Sequence, residues 1–162
     1  MTDEEKVEIE KPEGHNCFAC GTANPIGLNM QFYRQGEAVC SDIILDKKHE
    51  GWENMVHGGI VTTLLDEVMS WAIMYSKKVF LVTRNMKVKY IRPVMIGTPL
   101  TVSGKIMDED PPKIRARAEI RDNEGRFLVR SSAEFVARSI EELDSVPEEM
   151  KKQMLALFER FE

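Results

Sequence analysis

The stretch His57-Gly58-Gly59-Ile60-Val61-Thr62-Thr63-Leu64-Leu65-Asp66-Glu67-Val68-Met69-Ser70-Trp71-Ala72-Ile73-Met74-Tyr75 decides the fold. From residue 60 to residue 75 it contains neither glycine nor proline, so it predicts one long helix. Ile60, Val61, Leu64, Leu65, Val68, Met69, Trp71, Ala72, Ile73 and Met74 cover most of its circumference. A helix that is apolar nearly all round is a buried helix. The polar exceptions, Thr62, Thr63, Asp66, Glu67 and Ser70, form one narrow seam. Carboxylates on a buried helix require a reason, because taking a charge out of water is costly.

Outward from the helix the pattern changes to strands. On the N-terminal side, residues 28–33 and 37–45 read as strands joined at Gln35-Gly36, and residues 49–56 read as a loop. On the C-terminal side, strands are predicted at 79–91, 100–107, 113–121 and 126–138. Residues 108–112 and Asp122-Asn123-Glu124-Gly125 connect the last three. Met150, Met154, Leu157, Phe158 and Phe161 give residues 147–161 one apolar stripe, which predicts a short terminal helix. The expected architecture is α+β, an antiparallel sheet wrapped around one long central helix. Residues 1–14 read as a flexible charged arm, 15–140 as the domain and 141–162 as the C-terminal helical segment.

Composition narrows the function classes. A chain of 162 residues fits one domain with its own core. No run approaches the ~18 apolar residues of a spanning helix, so no membrane partner is expected. Twenty-two Lys+Arg against 27 Asp+Glu gives a net charge of −5, which disfavours a partner recognised through its phosphate backbone, such as nucleic acid. Three cysteines cannot make a complete disulfide framework, and the acidic opening MTDEEKVEIEKPEG does not read as a secretory leader. The expected location is cytoplasmic.

Chemistry is concentrated at the start of the long helix and along its seam. First-turn N–H groups lack intrahelical partners and carry the positive end of the helix dipole. Gly58 and Gly59 leave room there for a carbonyl oxygen that gains negative charge during reaction. Asp66 on the seam is a candidate nucleophile or general base. Seven residues separate Gly59 from Asp66, roughly 10 Å along a helix at ~1.5 Å per residue. One carbonyl group does not span that distance. Two antiparallel helices about a twofold axis would bring Gly59 of one copy to Asp66 of the other, so the expected unit is a homodimer with two shared sites. A further dimer of dimers is left open.

The segment from His57 to Glu67 resembles the His-Gly-Gly…Asp signature of hotdog-fold acyl-CoA thioesterases of the phenylacetic-acid-degradation (PaaI-like) type. Val88-Lys89-Tyr90-Ile91-Arg92-Pro93-Val94 is similar to the family strand that ends in Arg-Pro, and Gly97-Thr98-Pro99-Leu100 sits where that fold expects it. Cys17-Phe18-Ala19-Cys20-Gly21 with Asn24-Pro25-Ile26-Gly27-Leu28 resembles a lead-in found in one branch. The resemblance covers about residues 15–138. It implies hydrolysis of an acyl-CoA thioester, with no cofactor beyond the coenzyme A of the substrate. It also implies that Asp66 attacks the carbonyl or activates water while the Gly59 N–H of a partner subunit polarises the oxygen. His57, with Gly58, and Asn54 would orient substrate or loop, and Thr83, Arg84 and Arg92 would line the pantetheine and phosphate route. Glu67 points about 100° away from Asp66 around the helix and is the weaker carboxylate candidate.

Two further patterns carry alternatives. His15, Cys17 and Cys20 have the spacing of half a zinc knuckle; Cys40 and His49 would complete it only if the fold brings them near. The plainer reading, and the one expected, is small thiols packing the N-terminal segment with no metal. Trp71, Met74 and Tyr75 read as core or interface, with the wall of an acyl tunnel as the sharper alternative. The competing functions on the same fold are a non-catalytic acyl-CoA binder and an acyl-thioester hydratase or dehydratase.

Overall fold

In the computed structural model, residues 4–161 are described; residues 1–3, which open the expected arm, and residue 162 lie outside them. Seven strands and two helices follow in the order β1 (Val7–Ile9), β2 (Phe32–Gln35), β3 (Ala38–Ile43), α1 (Gly58–Lys77), β4 (Phe80–Tyr90), β5 (Leu100–Asp110), β6 (Lys113–Asp122), β7 (Phe127–Arg138) and α2 (Glu148–Arg160). The strands form one sheet in the order β1-β2-β3-β5-β6-β7-β4, and every pairing is antiparallel. The sheet curves around α1, whose Leu64, Leu65, Val68, Met69 and Ile73 have no exposed surface. This is the hotdog arrangement that the all-round apolar helix predicts. No described helix is long and apolar enough to cross a membrane.

Close approach of helix and sheet depends on Gly104 of β5. A Cβ there would stand 3.1 Å from Val68 Cγ1 and 3.2 Å from the Met69 backbone nitrogen. Inward side chains of β5 and β6 are correspondingly modest in size: Val102 and Ile120 are fully buried, and Ala116 and Ala118 nearly so.

Three boundaries differ from the sequence expectation, each for a local reason. Val7–Ile9 lies within the expected arm, yet it pairs with Phe32–Arg34 as an edge strand. Residues 28–31 do not join the sheet, because the Leu28 and Met30 N–H groups donate to the carbonyls of Phe18 and Ala19 instead. The strand predicted to end at residue 107 runs on to Asp110, paired with Lys113 across the turn at Pro111-Pro112. The helix at the C-terminus closes one end of the core. Phe161 packs 5.0 Å from Tyr75 and 6.5 Å from Trp71, and Phe32 stacks on the other side of Trp71 at 4.9 Å. That end of α1 is filled by aromatic rings, and Trp71 and Tyr75 are buried in the core there.

One irregularity in β4 positions the site. Thr83 pairs with Phe135 and Asn85 with Glu134, so Arg84 is an extra residue, a β-bulge. Alternation along a strand would otherwise put residues 83 and 90 on opposite faces. With the bulge, both Thr83 and Tyr90 reach α1.

Candidate active site

The helix α1 begins at an N-cap built from His57. Its backbone is extended (φ −58°, ψ 135°), and its Nδ1 accepts the Gly59 N–H at 2.9 Å. The cap is itself anchored, since the His57 N–H donates to the His49 carbonyl at 2.8 Å. Tyr90, at the end of β4, donates its hydroxyl to the Gly58 carbonyl at 2.9 Å and lies 2.7 Å from Thr62 Oγ1. Thr63 Oγ1 donates to the Gly59 carbonyl at 2.9 Å. The first turn of α1 is thus held by three side chains while Gly58 and Gly59 remain exposed.

A cavity of about 800 Å³ opens against this turn, lined by Trp52, His57, Gly58, Val61, Tyr90 and Arg92 among others. Its walls are largely apolar side chains, and Trp52 is 83% exposed at its mouth. Asn54 lies in the loop before the helix with φ +64°, and its carbonyl accepts the Ile96 N–H at 2.8 Å, so its backbone shapes the loop. Asp66 does not line this cavity.

Asp66 sits two turns further along, half-buried, where Thr83 Oγ1 donates to its Oδ1 at 2.7 Å. Burial pushes the Asp66 carboxyl above the ordinary carboxylate range, and the Thr83 hydrogen bond works in the opposite direction. Glu67 faces elsewhere. Its Oε1 accepts Trp71 Nε1–H at 3.1 Å and lies 3.9 Å from Cys17 Sγ. Burial, then the neighbouring Cys17, pushes the Glu67 carboxyl up to about 7. The two adjacent carboxylates therefore serve two separate environments.

One chain does not bring the expected site together. His57, Gly58 and Arg92 share the cavity, Asp66 and Thr83 form a second cluster, and Arg84 extends to Glu134 at 3.8 Å on the sheet. Arg92 Nη1 donates to the Phe127 carbonyl at 2.6 Å. Tyr90 is the residue that sequence reasoning missed. Its place before Ile91-Arg92-Pro93 was visible, but its contact with the helix start depends on the bulge at Arg84.

The cysteine segment is also organised. The Gly21 N–H donates to the Cys17 carbonyl at 2.9 Å and the Ala23 N–H to the His15 carbonyl at 3.1 Å. A hydrogen bond from Cys20, with the backbone N–H groups of Cys20 and Ala19, holds the Cys17 thiol down to about 5 despite its burial. The same bond to Cys17, together with burial, pushes the Cys20 thiol up. Cys40 is elsewhere, buried on β3 beside Tyr33 and Ser103, and His49 caps a short turn at Asp46. Neither approaches Cys17 and Cys20; the residue that does is Glu67.

The sequence pattern of the Thioesterase superfamily matches residues 53–128, the span from the loop before α1 through the start of β7. Over that span, a little under half of the chain, the sequence is similar to the thioesterase superfamily, and the fold around it is the hotdog arrangement. The hotdog domain is similar to RHA08564, a thioesterase superfamily protein of known structure, with 29% identity and a TM-score of 0.66 over 70% of this chain and 56% of that one. It shares its fold with a hypothetical thioesterase from Streptococcus pneumoniae solved with coenzyme A, at 18% identity and a TM-score of 0.60, covering 63% of this chain and 82% of that one. Verlamelin biosynthesis protein B of Lecanicillium sp is 28% identical over 141 residues, covering 69% of this chain and 57% of that protein. The hotdog domain thus spans a little over half the length of that curated relative.

Proposed function

We propose that the protein hydrolyses an acyl-CoA thioester, with Asp66 as the reacting carboxylate and the Gly59 N–H of a second copy as the donor to the carbonyl oxygen. The hydrogen bond from Thr83 to Asp66 supports this most directly, because it fixes a desolvated carboxylate at mid-helix with its other oxygen available. In the general-base form, Asp66 takes a proton from water and the resulting hydroxide adds to the thioester carbon. The tetrahedral intermediate then expels the thiolate of coenzyme A, which recovers the proton. In the covalent form, Asp66 adds to the carbon, expels the thiolate and forms a mixed anhydride that water cleaves. Label in the Asp66 carboxylate after single turnover in ¹⁸O-water marks the covalent route with water attacking Asp66 Cγ, and capture of the anhydride by hydroxylamine marks it whichever carbonyl carbon water attacks.

The Gly59 N–H now donates to His57 Nδ1, so an incoming carbonyl oxygen takes the place of an exposed imidazole. A second copy is available through β4. This eleven-residue strand pairs only with β7 among the described residues, leaving its outer edge with free backbone groups and Val82 41% exposed. Antiparallel pairing of two β4 strands extends the sheet and sets two α1 helices side by side. The apolar cavity beside Gly58 takes the acyl or pantetheine portion of the substrate, and a thioesterase of the same fold holds coenzyme A, which favours this substrate class.

The test is thiol release from a panel of acyl-CoAs by mixed variants. Asp66→Asn removes the carboxylate, and Gly59→Pro removes the N–H at a first-turn position that tolerates proline. Each alone is inactive. Randomly mixed, half the dimers are heterodimers with one intact site each, so about one quarter of wild-type activity returns. No recovery on mixing sinks the shared site. Full activity in Asp66→Asn sinks the carboxylate's role, and an inactive wild type that still binds acyl-CoA turns the reading to a binder.

A further inference from the structure

The polar groups around Glu67, turned about 100° from Asp66 on α1, take no part in the proposed reaction. Cys17 Sγ, Cys20 Sγ and a Glu67 carboxylate oxygen all lie within 4.8 Å of one another, with Cys17 Sγ 3.9 Å from Glu67 Oε1. Tetrahedral zinc, with bonds of about 2.3 Å to sulfur and about 2.0–2.2 Å to oxygen or nitrogen, needs ligand atoms roughly 3.5 Å apart. The three groups, at most 4.8 Å apart, meet that spacing after a contraction of about 1.3 Å or less, within reach of rotation about their own side-chain bonds.

The loop that supplies the thiols has a metal-binding form. Cys17 and Cys20 lie on one turn, closed by the Gly21 N–H, which donates to the Cys17 carbonyl at 2.9 Å. The chain closes tightly behind it at Gly21, where a Cβ would stand 2.5–2.6 Å from backbone atoms of His15 and Cys17. His15, two residues before Cys17, has a buried Nε2 with no hydrogen-bond partner among the described residues. An unsatisfied buried nitrogen is costly, and metal ligation is one way to satisfy it. The charges also balance. Two thiolates and one carboxylate carry −3; a divalent ion and the Lys11 ammonium, which donates to the Cys20 carbonyl at 2.9 Å, carry +3.

We infer that Cys17, Cys20 and Glu67 form a zinc site that fastens the N-terminal loop to α1, and that the His15 ring, which stands more than 4.8 Å from at least one of these ligand atoms, turns in to complete it. The ion joins two segments 50 residues apart in sequence. Its binding free energy is therefore folding free energy. This site is independent of the proposed hydrolysis, since Asp66 and Thr83 supply none of its ligands.

Cobalt titration of the reduced, chelator-stripped full chain tests it. One equivalent of Co²⁺ should produce tetrahedral visible bands and a thiolate-to-cobalt charge-transfer band, both displaced by Zn²⁺. Cys17→Ser and Cys20→Ser should lose the charge-transfer band, Glu67→Gln and His15→Ala should weaken binding at least about tenfold, and Cys40→Ser should keep both bands. X-ray absorption on the zinc-loaded wild type, which depends on no variant's folding, should count two sulfur ligands. The proposal is overturned by reduced wild type that shows no cobalt bands. Bands that survive Cys17→Ser and Cys20→Ser overturn it equally, as does a sulfur count other than two. Unchanged affinity in Glu67→Gln or His15→Ala removes that residue from the ligand set. A Cys17–Cys20 disulfide that takes up no metal after reduction assigns the pair to redox chemistry instead.

Discussion

The Thr83 hydroxyl donates to Asp66 Oδ1 at 2.7 Å, joining the outer strand of the sheet to the middle of the central helix. Loss of the carboxylate should remove catalysis while leaving the helix in place, because asparagine has the same shape and still accepts the Thr83 bond. Asp66→Asn is expected to lower kcat/KM for acyl-CoA hydrolysis by about 10²–10⁴-fold. Thiol release within a few-fold of wild type would take Asp66 out of the chemistry.

Thr83 acts through Asp66, as a positioning residue. Thr83→Val should lower kcat about tenfold or more with little change in KM, since a hydrogen bond to a charged group contributes about 1.5–3 kcal/mol. Thr83→Ser should restore it. Equal losses in the valine and serine variants would mean that Thr83 contributes packing rather than a hydrogen bond.

His57 caps the helix, and its imidazole has to leave Gly59 before a carbonyl oxygen can enter. Substitution by alanine should therefore cost stability, about 1 kcal/mol or a melting temperature lower by about 2–4 °C. His57→Asn, a good cap, should recover most of this. Turnover should fall far less than in Asp66→Asn; a comparable fall would give the imidazole a direct part in the reaction.

Gly104 should be intolerant for a reason unrelated to backbone angle. A methyl group there meets the backbone of Val68 and Met69, which the rest of the core holds in place. Gly104→Ala should destabilise the fold by about 1–3 kcal/mol, read by denaturant unfolding. A neutral result would show that α1 can retreat from β5.

Asp122 links pH to the far hairpin. Its Oδ1 accepts the N–H groups of Glu124 and Arg126, and its Oδ2 accepts Arg126 Nε–H at 2.8 Å. Burial raises this carboxyl, but the Arg126 backbone and side-chain bonds and the Glu124 bond outweigh it and hold it below the ordinary range. A carboxyl lowered in the folded state stabilises at pH above its unfolded value, and that stability is lost as pH falls through the folded value. Asp122→Asn should flatten this acid limb of the unfolding curve; an unchanged limb would place the titration elsewhere.

Much of the fold was legible because α1 announces itself. An apolar surface on all sides permits one arrangement for a single helix, inside a sheet, and the strand alternation supplied the sheet. Asp66 was legible as a carboxylate without a structural excuse. What escaped was everything carried by backbone groups that pair out of pattern. The Leu28 and Met30 amides serve the cysteine loop, so no alternation rule could end the strand there. Glu67 read as a second carboxylate near the first. Its partners, Cys17 and Trp71, are 50 residues before it and one helical turn after it, and only the first of these needs the tertiary fold. Tyr90 was hidden because strict alternation places it opposite to Thr83.

The bulge at Arg84 makes the candidate site sensitive to strand length as well as to residue identity. Deleting that one residue removes a surface arginine and leaves the apolar inventory of β4 untouched. It also slides one half of the strand past the other, so that Val82 replaces Thr83 opposite Asp66 if the Tyr90 end keeps its place. Arg84→Ala should therefore keep the hydroxyl on Asp66, whereas deletion of Arg84 should lower hydrolysis at least as far as Thr83→Val, although both lose the same side chain. The arrangement around Asp66 is in that sense a counting device, and single-residue insertions or deletions between Thr83 and Tyr90 are the changes it tolerates least.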